Sequence, residues 1–419
     1  MKRIAIVVQR YGEEINGGAE LHARLLAERL AGRYRVEVLT SCAQDYADWA
    51  MVYPPGPCVV GGIDVMRFAH PKRNDIGRAR VLLSHKLRFL LRGILRWLPG
   101  SQVANAKGHA AYDGQDFLRR QGPHCEGLMQ HLRKSTARYD AVLFVSALYA
   151  PVADGIRVWG RRSILVPQLH DEKPMYQPVY REVLGTAGAL IFNTEAERGV
   201  ARRLYGLDLS GARVAGAGVE ITPPTAEQVQ AVLQRHGLTP GYVVYVGRID
   251  VAKGCRELIA AFLKTLARQP SARLVLVGKE VMTVPPHPAI TCTGFVSEAD
   301  RDALIAGAGA LVIPSKYESL SLVLLEAMML RTPVIANAAC EVLADHIRLS
   351  GAGLAYRGQG QLARAMAEMP ALPALQRKAI TDKGVAYVER HWTWPRVMAL
   401  FEAAVEEVSE LVNPAAAPR

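Results

Sequence analysis

The sequence predicts an α/β protein made of two open, mainly parallel sheets in tandem. Three observations carry that expectation. Short apolar, β-branched runs recur along the chain, and many lead into a polar or Gly-containing turn and then a segment of helical period. At 419 residues the chain is too long for one core. A Gly/Pro-rich stretch, Val214 to Pro224, divides the runs into two series and reads as a linker. The expected boundaries are a first domain over 1–215, a second over 216–390 and a closing helix over 391–412.

Lys2 to Gln9 is the first buried strand. It leads through Arg10–Asn16 to Gly17-Gly18 and a helix from Ala19 to about Ala31, with Leu21, Leu25, Leu26 and Leu30 on one face. Val36 to Thr40 is the next strand. Paired glycines at a first turn either let backbone approach an anion at the helix N-terminus or simply allow close packing, and the sequence leaves both open. Ile63 to Phe68 is another strand. The segment 78–98 is basic and amphipathic: Leu83, Leu87, Leu90, Ile94 and Leu98 share an arc opposite Arg88, Arg92 and Arg96. Such a helix docks on an anionic membrane surface, or packs on its own domain with its arginines in water. Asp116 to Leu132 reads as a helical hairpin around Gln121-Gly122-Pro123.

Strands follow at Asp140–Tyr149, Ser163–Gln168 and Ala189–Asn193. The second runs into Leu169-His170-Asp171-Glu172, polar residues at the end where a parallel sheet receives ligands. His170 is therefore a candidate, the alternative being a loop-capping histidine. Glu197 reads as part of a helix start behind Asn193 or Thr194.

The second series opens with a strand over Tyr242–Val246. It enters Gly247-Arg248-Ile249-Asp250-Val251-Ala252-Lys253-Gly254, and a helix follows from Cys255 to about Arg268. Arg273–Val277 and Ile290–Thr293 are strands, the latter ending in Gly294-Phe295-Val296. Ser297 caps a helix over about 298–307. Gly307 to Ile313 is a buried strand, Pro314 to Ser319 a polar loop, and about Leu320 to Leu330 a helix apolar nearly all round. Glu326 lies in that helix and Glu318 just before it. A carboxylate among Val323, Leu324 and Met328 needs a polar partner, either a buried arginine or a ligand. Eight helical residues would separate the two carboxylates by roughly 12 Å, a span that suits the two ends of an elongated ligand. Pro333–Ala336 is a further strand. In the closing segment Thr393 fits a helix N-cap, with Pro395 in the first turn.

Composition narrows the function. Half the residues are hydrophobic and 21% charged, no apolar run would span a bilayer, and the N-terminus reads as a strand rather than a signal peptide. Six scattered cysteines without a CxxC pair predict reduced thiols in the cytoplasm and no structural zinc. The net charge of +12 favours anionic partners. With no zinc-finger spacing and no aromatic RNA motif, nucleic acid is the weakest of these. Arg248 and Lys253 share one Gly-flanked turn, suited to phosphate. With the helix N-terminus at Leu320–Leu322 and the two glutamates, they describe a ligand with a ribose, a diphosphate and a sugar.

At these residues the chain resembles the family-4 retaining glycosyltransferases. The likeness rests on Gly247-Arg248…Lys253-Gly254, Gly294-Phe295-Val296 and Glu318 followed after seven residues by Glu326. It extends to Gly17-Gly18-Ala19-Glu20, His170-Asp171 and Trp392-Thr393-Trp394. The resemblance implies a GT-B fold: two Rossmann-like domains facing each other across a cleft, with the last helix crossing back to the first. It implies that Glu326 holds the ribose, Glu318 the donor sugar, and Arg248 and Lys253 the diphosphate. Val296 would sit near the base and His170 by the reacting sugar. Gly17, Gly18 and Ser319 to Leu322 would approach the donor, and Glu20 and Asp171 would lie on the acceptor side. The implied reaction is retaining transfer, of a hexose by expectation, from a nucleoside diphosphate sugar to a glycan or lipid-linked acceptor. No cofactor or metal is expected, because no Asp-x-Asp or His/carboxylate cluster appears at the right place for one. The implied setting is cell-surface polysaccharide synthesis, lipopolysaccharide included, on the cytoplasmic face of a membrane. One departure stands out: the family usually has Gly two or three residues after the first glutamate, and here Ser321 occupies that place. The alternatives are a nucleotide-sugar epimerase or hydrolase of the same fold, or a non-catalytic nucleotide-sugar-binding scaffold. An oxidoreductase is disfavoured, since no GxGxxG follows the first strand.

Overall fold

The structure is a computed structural model and describes residues 1–15, 17–46, 48–71, 117–118 and 121–411. It forms two compact units. Unit 1 comprises Met1–Asn193, Glu197–Val214 and Met398–Arg419; unit 2 comprises Thr194–Ala196 and Ala215–Val397.

In unit 1 the chain runs β1 (Arg3–Val7), α1 (Gly18–Leu30), β2 (Arg35–Ser41), β3 (Gly56–Val60), β4 (Ile63–Phe68), α2 (Glu126–Lys134) and β5 (Ala141–Val145). It continues through α3 (Ala150–Trp159), β6 (Ser163–Val166), α4 (Val179–Thr186), β7 (Ala189–Phe192), α5 (Glu195–Tyr205) and β8 (Arg213–Val214). The sheet order is β3-β4-β2-β1-β5-β6-β7-β8. All pairings are parallel except β3 with β4. Central strands such as β5 are buried at every residue, as a sheet covered on both faces requires. Edge strand β3 instead alternates between exposed and half-buried positions. Leu39, Phe144, Tyr180 and Phe192 anchor the core.

Unit 2 runs α6 (Ala226–Arg235), β9 (Val243–Val246), α7 (Cys255–Thr265), β10 (Leu274–Val277), β11 (Ile290–Gly294), α8 (Glu298–Ala306) and β12 (Ala310–Ile313). Then come α9 (Leu322–Met329), β13 (Val334–Asn337), α10 (Glu341–Ser350), β14 (Gly353–Tyr356), α11 (Gly358–Glu368) and α12 (Ala374–His391). Its sheet is parallel throughout, in the order β11-β10-β9-β12-β13-β14. Val243, Phe262, Leu276 and Ile335 fill its core. The Ser297 hydroxyl accepts from the Asp300 amide and caps α8, as its position predicts.

The chain ends in α13 (Trp394–Ser409). The closing helix therefore does not begin at 391: α12 ends there, and Thr393 precedes a new helix with Pro395 in its first turn. From Met398 onward the helix belongs to unit 1. There Tyr34 donates to Glu406 at 3.1 Å, Glu406 also pairs with Lys2, and Arg213 pairs with Glu407 at 2.5 Å. The basic segment 78–98 lies outside the described residues. Among the described residues no helix is long and apolar enough to cross a membrane.

Candidate functional site

In unit 2 the chain moves outward from β9 to β10 and β11, and from β12 the other way to β13 and β14. Neighbouring β9 and β12 thus mark the switch point, where an open parallel sheet leaves room for a ligand beyond its carboxyl ends. The two loops that leave this point are Gly247–Gly254 and Pro314–Ser321. Lys253 Nζ on the first lies 2.8 Å from Glu318 Oε1 on the second. The Glu318 carboxylate raises the Lys253 pKa above its ordinary value against the opposing effect of burial, so the ammonium stays charged. Arg248 pairs with Asp250, whose other carboxylate oxygen accepts the Lys253 amide at 2.7 Å. Buried Asp250 therefore shapes the turn and orients both cations; sequence reasoning quoted it within the turn but gave it no role. Close approach of the loops depends on glycine. A Cβ on Gly254, at φ +81°, would stand 2.7 Å from the Pro314 carbonyl oxygen.

The Pro314–Ser321 loop is fixed from beneath by α10, α12 and the end of β13. Asn337 Nδ2 donates to the Pro314 carbonyl at 2.9 Å. His346 Nε2 lies 2.9 Å from the Leu320 carbonyl and its Nδ1 lies 3.0 Å from the Tyr387 hydroxyl. A carbonyl oxygen only accepts, so Nε2 carries the proton and Nδ1 accepts from Tyr387. Burial drives the His346 pKa down to about 4, so the ring is neutral.

Helix α9 starts at Leu322, two residues later than its apolar run predicts, because Ser321 takes a left-handed conformation at φ +68° and ψ +72°. This is the position where the sequence departs from the glycine pattern, and the backbone retains the conformation that glycine favours. The Ser321 hydroxyl is buried with no hydrogen-bond partner. Relief of the left-handed strain in Ser321→Gly is expected to raise unfolding stability by about 1 kcal/mol, less the entropy that glycine gains in the unfolded chain. Urea titration checks this: the midpoint should rise at unchanged slope, and a fall would mean that the serine side chain stabilises the loop by more than the strain.

Glu326 meets an arginine after all. Arg301 Nη2, on α8, lies 3.5 Å from its Oε1 and also pairs with Asp302 at 2.8 Å. Burial raises the Glu326 carboxyl above its ordinary pKa, and Arg301 opposes the shift. Arg301 escaped the sequence reading because nothing in Glu298–Asp302 marks it as facing α9. Leu320 is buried, whereas Val296, Ser319 and Leu322 are partly exposed.

The remaining candidates belong to unit 1. Glu20 is buried and accepts from Gln9 Nε2 at 2.8 Å and Arg10 Nε at 2.9 Å. A Cβ on Gly17 would come within 2.0 Å of its Oε2, so glycine there makes room for this carboxylate. Around Gly18 the same position is open, with nothing within 4 Å. His170 Nδ1 lies 3.2 Å from Glu172 Oε1, and Asp171 accepts from the Tyr176 hydroxyl. Glu197, fully buried, takes the Leu169 amide at 2.7 Å and the Asn193 amide at 2.6 Å, tying together the ends of β6 and β7 beside His170. Its position at a helix start was legible; its reach to Leu169 was not. Among the described residues no group of three or more His, Cys, Asp or Glu is placed to hold a metal ion.

Residues 240–370 match the family model of the group 1 glycosyl transferases. Along 97% of its length the chain superposes on sucrose-phosphate synthase from Thermosynechococcus elongatus, covering 99% of that chain with a TM-score of 0.66 at 18% identity. It covers 100% of HepE from Anabaena, solved with UDP and glucose, with 98% of its own length, a TM-score of 0.63 and 17% identity. The fold is GT-B, with a group 1 glycosyl transferase segment in unit 2. Over 256 residues the GT-B chain is also 30% identical to a D-inositol 3-phosphate glycosyltransferase from Salinispora tropica, 55% of this chain and 53% of that one. It spans between about a third and a half of the length of the curated relatives it matches.

Proposed function

We propose that the protein is a retaining glycosyltransferase that moves a sugar, by expectation a hexose, from a nucleoside diphosphate sugar to a glycan or lipid-linked acceptor. The observation that carries this reading is the Lys253–Glu318 pair at the β9/β12 switch point, inside the segment that matches group 1 glycosyl transferases. A pre-set ammonium and a guanidinium oriented by Asp250 suit the diphosphate, and both gain from the charge that grows on it as the sugar departs. Glu318 offers acceptor oxygens to hydroxyls of the donor sugar, and Glu326 to those of the ribose. Ser319 to Leu322 and Val296 complete the donor contacts. The acceptor hydroxyl attacks from the face that the diphosphate leaves, and a donor phosphate oxygen takes its proton. His170, by the reacting sugar, assists by positioning, as do Glu20 and Asp171 on the acceptor side, while Gly17 and Gly18 let backbone approach the donor. No step requires a metal.

Support for the donor class comes from HepE, whose structure holds UDP and glucose. The acceptor setting, surface polysaccharide made at the inner face of a membrane that 78–98 touches, rests on the family resemblance and on the basic amphipathic pattern of that segment. The test is a thermal-shift screen of nucleoside diphosphate sugars, followed by product analysis with the best donor and a panel of acceptors. Transfer with retained anomeric configuration is the expected result. Free sugar released to water with every acceptor would identify a hydrolase, and donor binding without turnover would identify a scaffold.

A further inference from the structure

Among the described residues two arginines are more than nine-tenths buried, and the protein treats them differently. Arg10, 8% exposed, donates to Glu20 and to the Gln44 carbonyl. Arg67, 6% exposed, lies near the carboxyl end of β4 with its guanidinium carbon 3.9 Å from the centre of the Tyr53 ring. Among the described residues no carboxylate pairs with it and no acceptor takes its N–H groups, and its Nη1 is sealed from solvent without a partner. Glu14 feels its charge, but the Glu14 carboxylate accepts from the Tyr53 hydroxyl. Thr40, the β2 residue in register with Arg67, has a buried hydroxyl that is likewise unpartnered.

A buried guanidinium without acceptors is costly to the free protein. Stacking on Tyr53 engages only its face. The N–H edge, which grips oxyanions in a bidentate manner, remains unused. Arg67 and Thr40 are each the last residue but one of their strands, at the edge where a parallel sheet receives ligands.

We infer that Arg67, assisted by Thr40, binds a phosphoryl group carried by the molecule that unit 1 receives; on the proposed function, that molecule is the acceptor. A planar fork and a hydroxyl from the neighbouring strand supply donors in more than one direction, which fits a tetrahedral oxyanion better than a flat carboxylate. The acceptor class is therefore a phosphorylated sugar, polyol or lipid.

The inference is tested on the full chain in an Arg248→Ala/Lys253→Ala background, so that unit 2 cations do not contribute. Thermal unfolding is followed with inorganic phosphate and with methyl phosphate, and acetate at equal ionic strength is the control. Phosphate and methyl phosphate should raise Tm and acetate should not. Adding Arg67→Met should abolish that rise. Without ligand, Arg67→Met should itself unfold at a higher temperature, since an apolar chain of similar length replaces an unpaired buried charge. A phosphate-induced rise that survives Arg67→Met, or a lower Tm in that variant, overturns the inference. Absence of any donor turnover in the unaltered protein instead overturns the reading of unit 2.

Discussion

Replacing Arg248 and Lys253 together with alanine is expected to reduce glycosyl transfer by about 10⁴-fold, close to the limit of detection. Loss of one preorganised group facing developing charge typically costs about 10²–10³ in kcat. The two cations share one scaffold: Asp250 pairs with Arg248 and accepts the Lys253 amide. Each single variant should therefore be more damaging than an independent pair would predict, and the effects should fall short of additive. Lys253→Ala has a second consequence, because it leaves Glu318 without the ammonium 2.8 Å away. Glu318 would then repel a diphosphate rather than balance the site, so donor affinity should fall along with kcat. Lys253→Arg keeps the charge but changes its shape, and should lose less. Single-turnover kinetics with donor affinity measured separately distinguish the two effects. Near-normal transfer by the double variant would exclude these residues from the chemistry.

How far such a site can be read from sequence depends on the range of the interactions that build it. The β9 and β12 strands are continuous apolar runs, so their identity and the polar loops after them were legible from a few neighbouring residues. The same holds for Ser297, whose cap closes within three residues. Arg301 with Glu326, and His346 with the Leu320 carbonyl, join residues from different helices, and no local pattern announces them. Ser321 is harder still. Serine rarely adopts a left-handed conformation, so its backbone became visible only in the fold; the sequence flagged the position by comparison with a glycine pattern, not by any signal of its own. Elements α10 to α12 and β14 were missed because they contribute no charged loop to the switch point, and α12 spreads its few buried side chains thinly among exposed ones. Arg67 could be seen as a cation on a strand, but only its environment reveals that among the described residues no acceptor takes its N–H groups.

Acid is expected to weaken the protein through His346, and the direction follows from its environment. The ring is 2% exposed and its pKa in the folded protein lies at about 4, against 6.5 for the ordinary side chain. The unfolded chain thus binds a proton that the folded one refuses. Stability from this site is complete above about pH 6.5 and is lost progressively as pH falls towards 4, about 3 kcal/mol in all. The neutral ring supports the Leu320 carbonyl immediately before Ser321, so the same residue holds the Pro314–Ser321 loop in place. His346→Gln keeps a neutral N–H donor without the titration. Compared with the unaltered protein, it should show a flatter decline of unfolding free energy between pH 6.5 and 4 while retaining donor affinity. His346→Leu should also flatten the decline, but it leaves the Leu320 carbonyl and the Tyr387 hydroxyl without their partner, at a cost of about 1–3 kcal/mol for buried polar groups. Its donor KM should rise about tenfold while kcat changes less, because Arg248 and Lys253, the cations proposed to meet the developing charge, sit on the other loop. Urea unfolding at a series of pH values, with donor kinetics at neutral pH, separates these outcomes. If His346→Gln declined with acid as steeply as the unaltered protein, the acid sensitivity would belong to other groups.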